Sequence, residues 1–124
     1  MNLPQDYVMQ PVNFKEIRPE HIIGRWRVQD RVLSKSDPNS IFALADEHNF
    51  SGDGTYSIFT ATEITGKWDM STPAEIIRNP LIRLTIRNET TNALIIRLLE
   101  AEDNPNSQLT LYLATGLELV LIKY

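Results

Sequence analysis

The chain has no cysteine among its 124 residues, and only two histidines, two tryptophans and five glycines. Without cysteine there is no disulfide, no thiolate metal site and no cysteine nucleophile. Any imidazole chemistry must rest on His21 or His48. Basic charge is not in excess either. The formal net charge is −4, which argues against nucleic acid as a partner, because phosphate binding needs a concentrated basic face. No apolar run approaches the ~20 residues of a membrane-spanning helix. The opening segment, MNLPQDYVMQPVNF, lacks a basic region followed by an apolar one, so it does not read as a signal peptide. The expected location is therefore cytoplasmic, or exported if a leader has been removed. Two glycosylation-like triplets, at Asn49 and Asn88, carry no weight without an export signal. No Gly-x-Ser-x-Gly elbow, phosphate loop or dinucleotide fingerprint occurs.

What is present reads as one domain, large enough to bury about two thirds of its unfolded surface. Apolar residues make up 42% and charged residues 23%, an ordinary balance for a globular chain. Residues 1–13, broken by Pro4, Asp6 and Pro11, read as an irregular arm. Residues 14–124 form the domain. Its first segment, Phe14 to Ile23, suits a short helical turn with Pro19 at its first position. Strand patterns follow over 24–34, 41–50, 54–61, 64–71, 80–88, 92–101, 107–115 and 117–124. A helical period is visible only in PAEIIR at 73–78. The alternation is clearest late in the chain, where Ile82, Leu84 and Ile86 share a face. So do Leu94, Ile96 and Leu98, then Leu109, Leu111 and Leu113, then Leu117, Leu119 and Leu121. Turn residues at Ser51–Gly54, Asn88–Asn92, Asp103–Asn106 and Thr115–Gly116 separate the strands.

Eight sequential antiparallel strands with short turns make an up-and-down meander, and eight is a number at which such a sheet closes. The fold expected is all-β: an eight-stranded antiparallel up-and-down barrel with a short N-terminal helical turn.

A small–basic–Trp triplet occurs twice, as Gly24-Arg25-Trp26 and Gly66-Lys67-Trp68. The first, preceded by a helical turn, looks like the opening of a lipocalin-type (calycin) barrel. Phe50-Ser51-Gly52-Asp53-Gly54-Thr55-Tyr56 resembles the hairpin of small bacterial lipocalin-like domains, which also tend to place a second Gly-x-Trp one strand later. The last strand, ending in Lys123, fits as well. In such barrels a basic residue of the last strand often lies over the first Trp, so the resemblance implies that position for Lys123; a solvated terminal lysine is the alternative. Independently of the family, a Trp early in the first strand can plug one end of a barrel, and a Gly two residues earlier lets the chain bend into the sheet. Gly52, Gly54 and Gly66 join Gly24, Trp26 and Lys123 as the structural motif.

The resemblance implies binding of a small apolar or amphipathic ligand in the barrel mouth, without catalysis and without a cofactor. The walls expected for such a pocket are Phe42, Leu44, Tyr56, Ile58, Trp68 and Met70, where the sequence is less uniformly aliphatic. The alternative is a protein-binding inhibitor or subunit with a filled core. Asp46 and His48 share a strand face but make too small a set for a metal site, and a solvated strand end is the simpler reading. Arg25, Arg27, Arg31, Arg83, Arg87 and Arg97 are expected on the outside, as ordinary surface or as a face for an acidic partner. On the opposite side of the late strands, Ile95, Leu99, Tyr112, Val120, Ile122 and Tyr124 form an apolar patch. Such a patch calls for a cover from Leu3, Tyr7, Val8, Met9, Val12 and Phe14 of the arm, or for a homodimer.

Overall fold

The computed structural model describes residues 9–33, 39–71, 79–101 and 104–124. The helical period at 73–78 and the arm residues Leu3, Tyr7 and Val8 lie outside them. The strands are β1 (Gln10–Pro11), β2 (Gly24–Val32), β3 (Glu47–Phe50), β4 (Thr55–Phe59), β5 (Glu63–Ser71), β6 (Leu81–Ile86), β7 (Glu89–Ala101), β8 (Asn104–Leu113) and β9 (Glu118–Lys123). Two one-turn helices, α1 (Pro19–Ile22) and α2 (Ile41–Leu44), precede β2 and β3.

From β2 to β9 every strand pairs antiparallel with the next, and β9 returns to β2. The sheet is therefore a closed eight-stranded meander, as the spacing of the turns predicts. α1 lies at one end, beside Gly24 and Lys123; α2 lies at the other, between the end of β2 and the start of β3. Closure gives every one of these strands a partner on both sides, but β7 outruns β6. Its first half pairs with Leu81–Ile86, and beyond Leu94 the small strand β1 takes over opposite Leu99 and Glu100. The Val12 amide extends that pairing to the Leu98 carbonyl at 2.8 Å. Part of the arm is thus a strand that covers an open edge of β7.

The inner face follows the register. Trp26 sits opposite His48, His48 opposite Ile58, and Ile58 opposite Ile64. Phe50, Tyr56, Gly66 and Ile86 make the neighbouring row. Ile82, Leu84, Ile86, Leu109, Leu111, Leu113, Leu117, Leu119 and Leu121 are all buried, as their alternation predicts.

Three expectations are corrected. Residues 41–44 are not strand. Ser40 accepts a hydrogen bond from the Phe42 amide at 3.2 Å and starts the helical turn α2, so Phe42 and Ala43 enter the core as a plug while Leu44 points outward. In β7 the inward apolar residues are Ala93, Ile95 and Leu98, not Leu94, Ile96 and Leu98. A bulge inserts Ile96 between Ile95 and Arg97 and breaks the period of two. Ile95 consequently leaves the expected outer patch and is fully buried. Finally, the β6–β7 turn is Arg87–Asn88, with Ile86 opposite Glu89 and Arg87 at positive φ, so Glu89 to Asn92 already belong to β7.

Candidate functional site

The two tryptophans have parallel tasks at the α1 end. Trp26 is fully buried and its indole N–H donates to the Ile22 carbonyl at 2.8 Å, which ties α1 to the barrel. Trp68 donates to the Ser51 carbonyl at 2.8 Å, and its backbone amide to the Gly54 carbonyl at 2.9 Å. The Gly-Asp-Gly turn between β3 and β4 is thereby held against β5. Gly54 has φ 90°, and Asp53 accepts from the Thr55 amide, which lowers its pKa. Each tryptophan fills the interior with its ring and ties down a connecting segment with its N–H. The doubled triplet records one structural need met twice.

Lys123 lies with its ammonium 5.2 Å from the Trp26 ring centre and donates to the His21 carbonyl at 3.2 Å. It is half-buried, and desolvation lowers its pKa, partly offset by Glu100. Gly24 is what admits it: at φ 145° a Cβ there would stand 2.8 Å from Lys123 Cε. Gly66 is needed for a different reason, since its Cβ would fall 2.0 Å from the Thr85 carbonyl oxygen. Gly52 has room for a side chain, with Ile23 Cδ1 3.6 Å from the nearest added atom.

Of the residues expected to wall a pocket, Tyr56, Ile58, Trp68 and Met70 share the inner face, and Phe42 joins the same core from α2. Leu44 is not with them; it is 52% exposed. Phe42, Tyr56 and Ile58 are fully buried. Inward side chains that keep partial exposure are Val28, Ile64 and Met70.

The feature least expected from the sequence is His48. It is not a solvated strand end. The register that puts it opposite Trp26 also carries it into the barrel, where it is fully buried. Its Nδ1 is 2.6 Å from the Tyr56 hydroxyl. Tyr56 is itself buried, against Phe50 at 5.2 Å between ring centres, and Phe50 meets Trp68 edge-on at 5.3 Å. Burial lowers the His48 pKa to about 4; repulsion by Arg31 adds to this and Glu47 opposes it. Burial also raises the Tyr56 pKa well above its ordinary value. Both groups are neutral at pH 7. The second ring nitrogen, Nε2, is buried without a hydrogen-bond partner among the described residues. The Thr91 hydroxyl, also on the inner face, shares that condition.

Asp46 does not share this site. Its carboxylate is exposed and pairs with Arg31 at 3.2 Å, while Arg31 also donates to the Ala45 carbonyl. No group of three metal-ligating side chains occurs among the described residues. His21 is used locally: its Nδ1 accepts from the Arg18 amide at 2.9 Å and caps α1.

Outside, Arg25 and Arg27 stack on Tyr124, at 5.1 and 4.6 Å from its ring centre. The Tyr124 hydroxyl donates to Glu47, which also takes Arg25 at 3.3 Å and Asn49 at 2.8 Å. Burial alone would raise the Glu47 pKa, but these bonds outweigh it and hold the carboxyl below its usual range. The expected apolar patch is thus broken up at both ends: Ile95 faces inward, and Tyr124, 46% exposed, is flanked by Arg25, Arg27 and Glu47. Leu99, Val120 and Ile122 are half-buried, and Tyr112 is 44% exposed. A shallow outer groove of roughly 310 Å³ lies between Asp69, Ser71, Leu81, Arg83, Thr90 and Asn92, with solvated walls and an Asp69–Arg83 approach of 3.8 Å.

Comparison of the chain with known protein families, with curated proteins and with solved structures finds no match. No described helix is long and apolar enough to cross a membrane.

Proposed function

We propose that this is a lipocalin-like domain that binds a small amphipathic molecule inside the barrel, without catalysing a reaction on it. The reading rests on one observation: a fully buried imidazole nitrogen with no hydrogen-bond partner among the described residues, on the inner face of a mostly apolar barrel. Burying a polar atom unpaired costs about 1–3 kcal/mol. Retaining one is explained if a ligand's polar end completes it. The partial exposure of Val28, Ile64 and Met70 supports access to the interior. Phe42, Tyr56, Ile58, Trp68 and Met70 form the apolar walls, and Leu44 borders the rim. Because Phe42 is seated in the core, binding requires α2 to move aside.

Native mass spectrometry of protein purified without detergent tests this. Extra mass that leaves on denaturation and extracts into organic solvent supports the carrier reading. Bare protein that also fails to take up lipophilic probes overturns it.

A second reading has its own support. Val32, Leu33 and Leu44 are exposed apolar residues at the α2 end, and Phe42, Tyr56 and Ile58 are fully buried in the core. A protein-binding module would use that rim and leave the core closed. It predicts bare protein in the same experiment.

A further inference from the structure

The polar pair inside the barrel has a definite hydrogen-bonding valence. A neutral imidazole carries one N–H and one bare nitrogen; a phenol carries one O–H and an accepting oxygen. One bond joins His48 Nδ1 and the Tyr56 hydroxyl. If tyrosine donates it, His48 Nε2–H is a free donor and the phenol oxygen a free acceptor. If histidine donates it, Nε2 is a free acceptor and the phenol O–H a free donor. Either tautomer leaves one donor and one acceptor.

The charges around the pair are already engaged. Arg31 is bound to Asp46 and the Ala45 carbonyl. Glu47 lies on the outer face with Arg25, Asn49 and Tyr124. Lys123 shares the inner face, but Trp26 stands between it and His48 in the cross-strand row, and its ammonium is directed to the Trp26 ring and the His21 carbonyl. An ionised headgroup brought to His48 would lose its hydration and, among the described residues, find no counter-charge left unengaged, which is costly. A neutral headgroup that both donates and accepts would meet the open valence and lose little.

Resting on the proposed carrier function, we infer that the His48–Tyr56 pair selects ligands with an uncharged donor–acceptor headgroup, an alcohol or a primary amide, and discriminates against carboxylates and alkylammonium ions of the same chain length.

The test is calorimetric titration of the whole protein at pH 8 with decanol, decanamide, decanoate and decylammonium, all below their micellar concentrations. The expected result is that decanol and decanamide bind at least about tenfold more tightly than the two ions, since a single unmatched buried polar contact of ~1.4 kcal/mol is tenfold. His48→Phe and Tyr56→Phe should each weaken decanol and decanamide binding by about tenfold, while decanoate and decylammonium, which gain no counter-charge, bind no more tightly than before. Two variants are used so that one misfolded protein does not decide the outcome. Equal or tighter binding of decanoate overturns the inference and leaves the carrier reading standing; Arg31 or Lys123 would then reach the headgroup. Unchanged preference in both folded variants also overturns it. If none of the four probes binds, the carrier reading fails, and the inference with it.

Discussion

Lys123, on the last barrel strand, lies across the face of Trp26, near the start of the first barrel strand, with its ammonium 5.2 Å from the ring centre. The two residues are opposite one another in the pairing that closes the barrel. Their contact therefore seals the seam as well as the α1 end. Replacing Lys123 by Met keeps the aliphatic stem and removes the charge, and should cost about 0.5–2 kcal/mol. Gly24→Ala should cost about 1–3 kcal/mol, through positive φ and through its clash with Lys123 Cε. Combining Gly24→Ala with Lys123→Ala removes that clash, so the double variant should be less destabilised than the sum of its singles. Urea unfolding of the four proteins checks this; strict additivity would mean that the two side chains do not compete for space.

Gly66 provides a harsher test of the register. A methyl group there would stand 2.0 Å from the Thr85 carbonyl oxygen, on the neighbouring strand. That atom belongs to the backbone and cannot rotate away. Gly66→Ala should destabilise by about 3 kcal/mol or more. Gly52→Ala should shift the urea midpoint far less, since Gly52 has room and φ outside the restricted positive range. Similar midpoints for the two variants would contradict the β5–β6 pairing described above.

The burial of His48 makes stability depend on pH in a defined direction. Its pKa is about 4 when folded and 6.5 when exposed. Between those values the unfolded chain binds the extra proton, so stability rises with pH through this window. The contribution is fully present above pH 6.5 and lost as the pH falls to about 4. Its size, at 1.36 kcal/mol for each unit, is of the order of 3 kcal/mol. Glu47, held below its usual range, adds a slope of the same sign at the acidic end. Urea midpoints measured from pH 4 to 7 should climb in the native protein. In His48→Phe the climb between pH 5 and 6.5 should largely vanish. A flat native curve would place His48 in water.

Phe42 occupies the α2 end of the core from a helix of one turn. Phe42→Ala should cost about 3–5 kcal/mol in stability. If α2 is the gate, the same variant should bind decanamide faster than the native protein. Stopped-flow quenching of tryptophan emission would show it; an unchanged association rate would locate the opening elsewhere.

Much of this fold is legible in the chain because β6, β8 and β9 alternate cleanly and the β8–β9 turn falls at Thr115–Gly116 as expected. The closing contact between Lys123 and Trp26 also matches its expectation. β7 is harder to read. Ala93-Leu94-Ile95-Ile96 is apolar on both faces, so parity alone cannot choose a side, and a one-residue bulge then reverses it. α2 hides for a related reason: Ile41-Phe42-Ala43-Leu44 looks like a buried strand, and only Ser40, a helix-starting residue, signals otherwise. The environment of His48 could have been found by counting. A turn at Ser51–Gly54 puts Phe50 opposite Tyr56, which places His48 diagonally within reach of Tyr56 on the same face. What the local pattern does not carry is burial, because the neighbours Asp46 and Glu47 are charged while His48 faces the other way. The charges suggest water; the register with Trp26 decides for the core.

The most direct test of the proposed function uses the fact that the chain has only two histidines. Long-range ¹H–¹⁵N correlation of protein labelled at histidine resolves both rings, and His48→Phe assigns them. On addition of decanamide, the Nε2 resonance of His48 should move while both nitrogens of His21 stay fixed. Rings that remain unmoved at saturating decanamide, or a shift confined to His21, would contradict a ligand site inside the barrel.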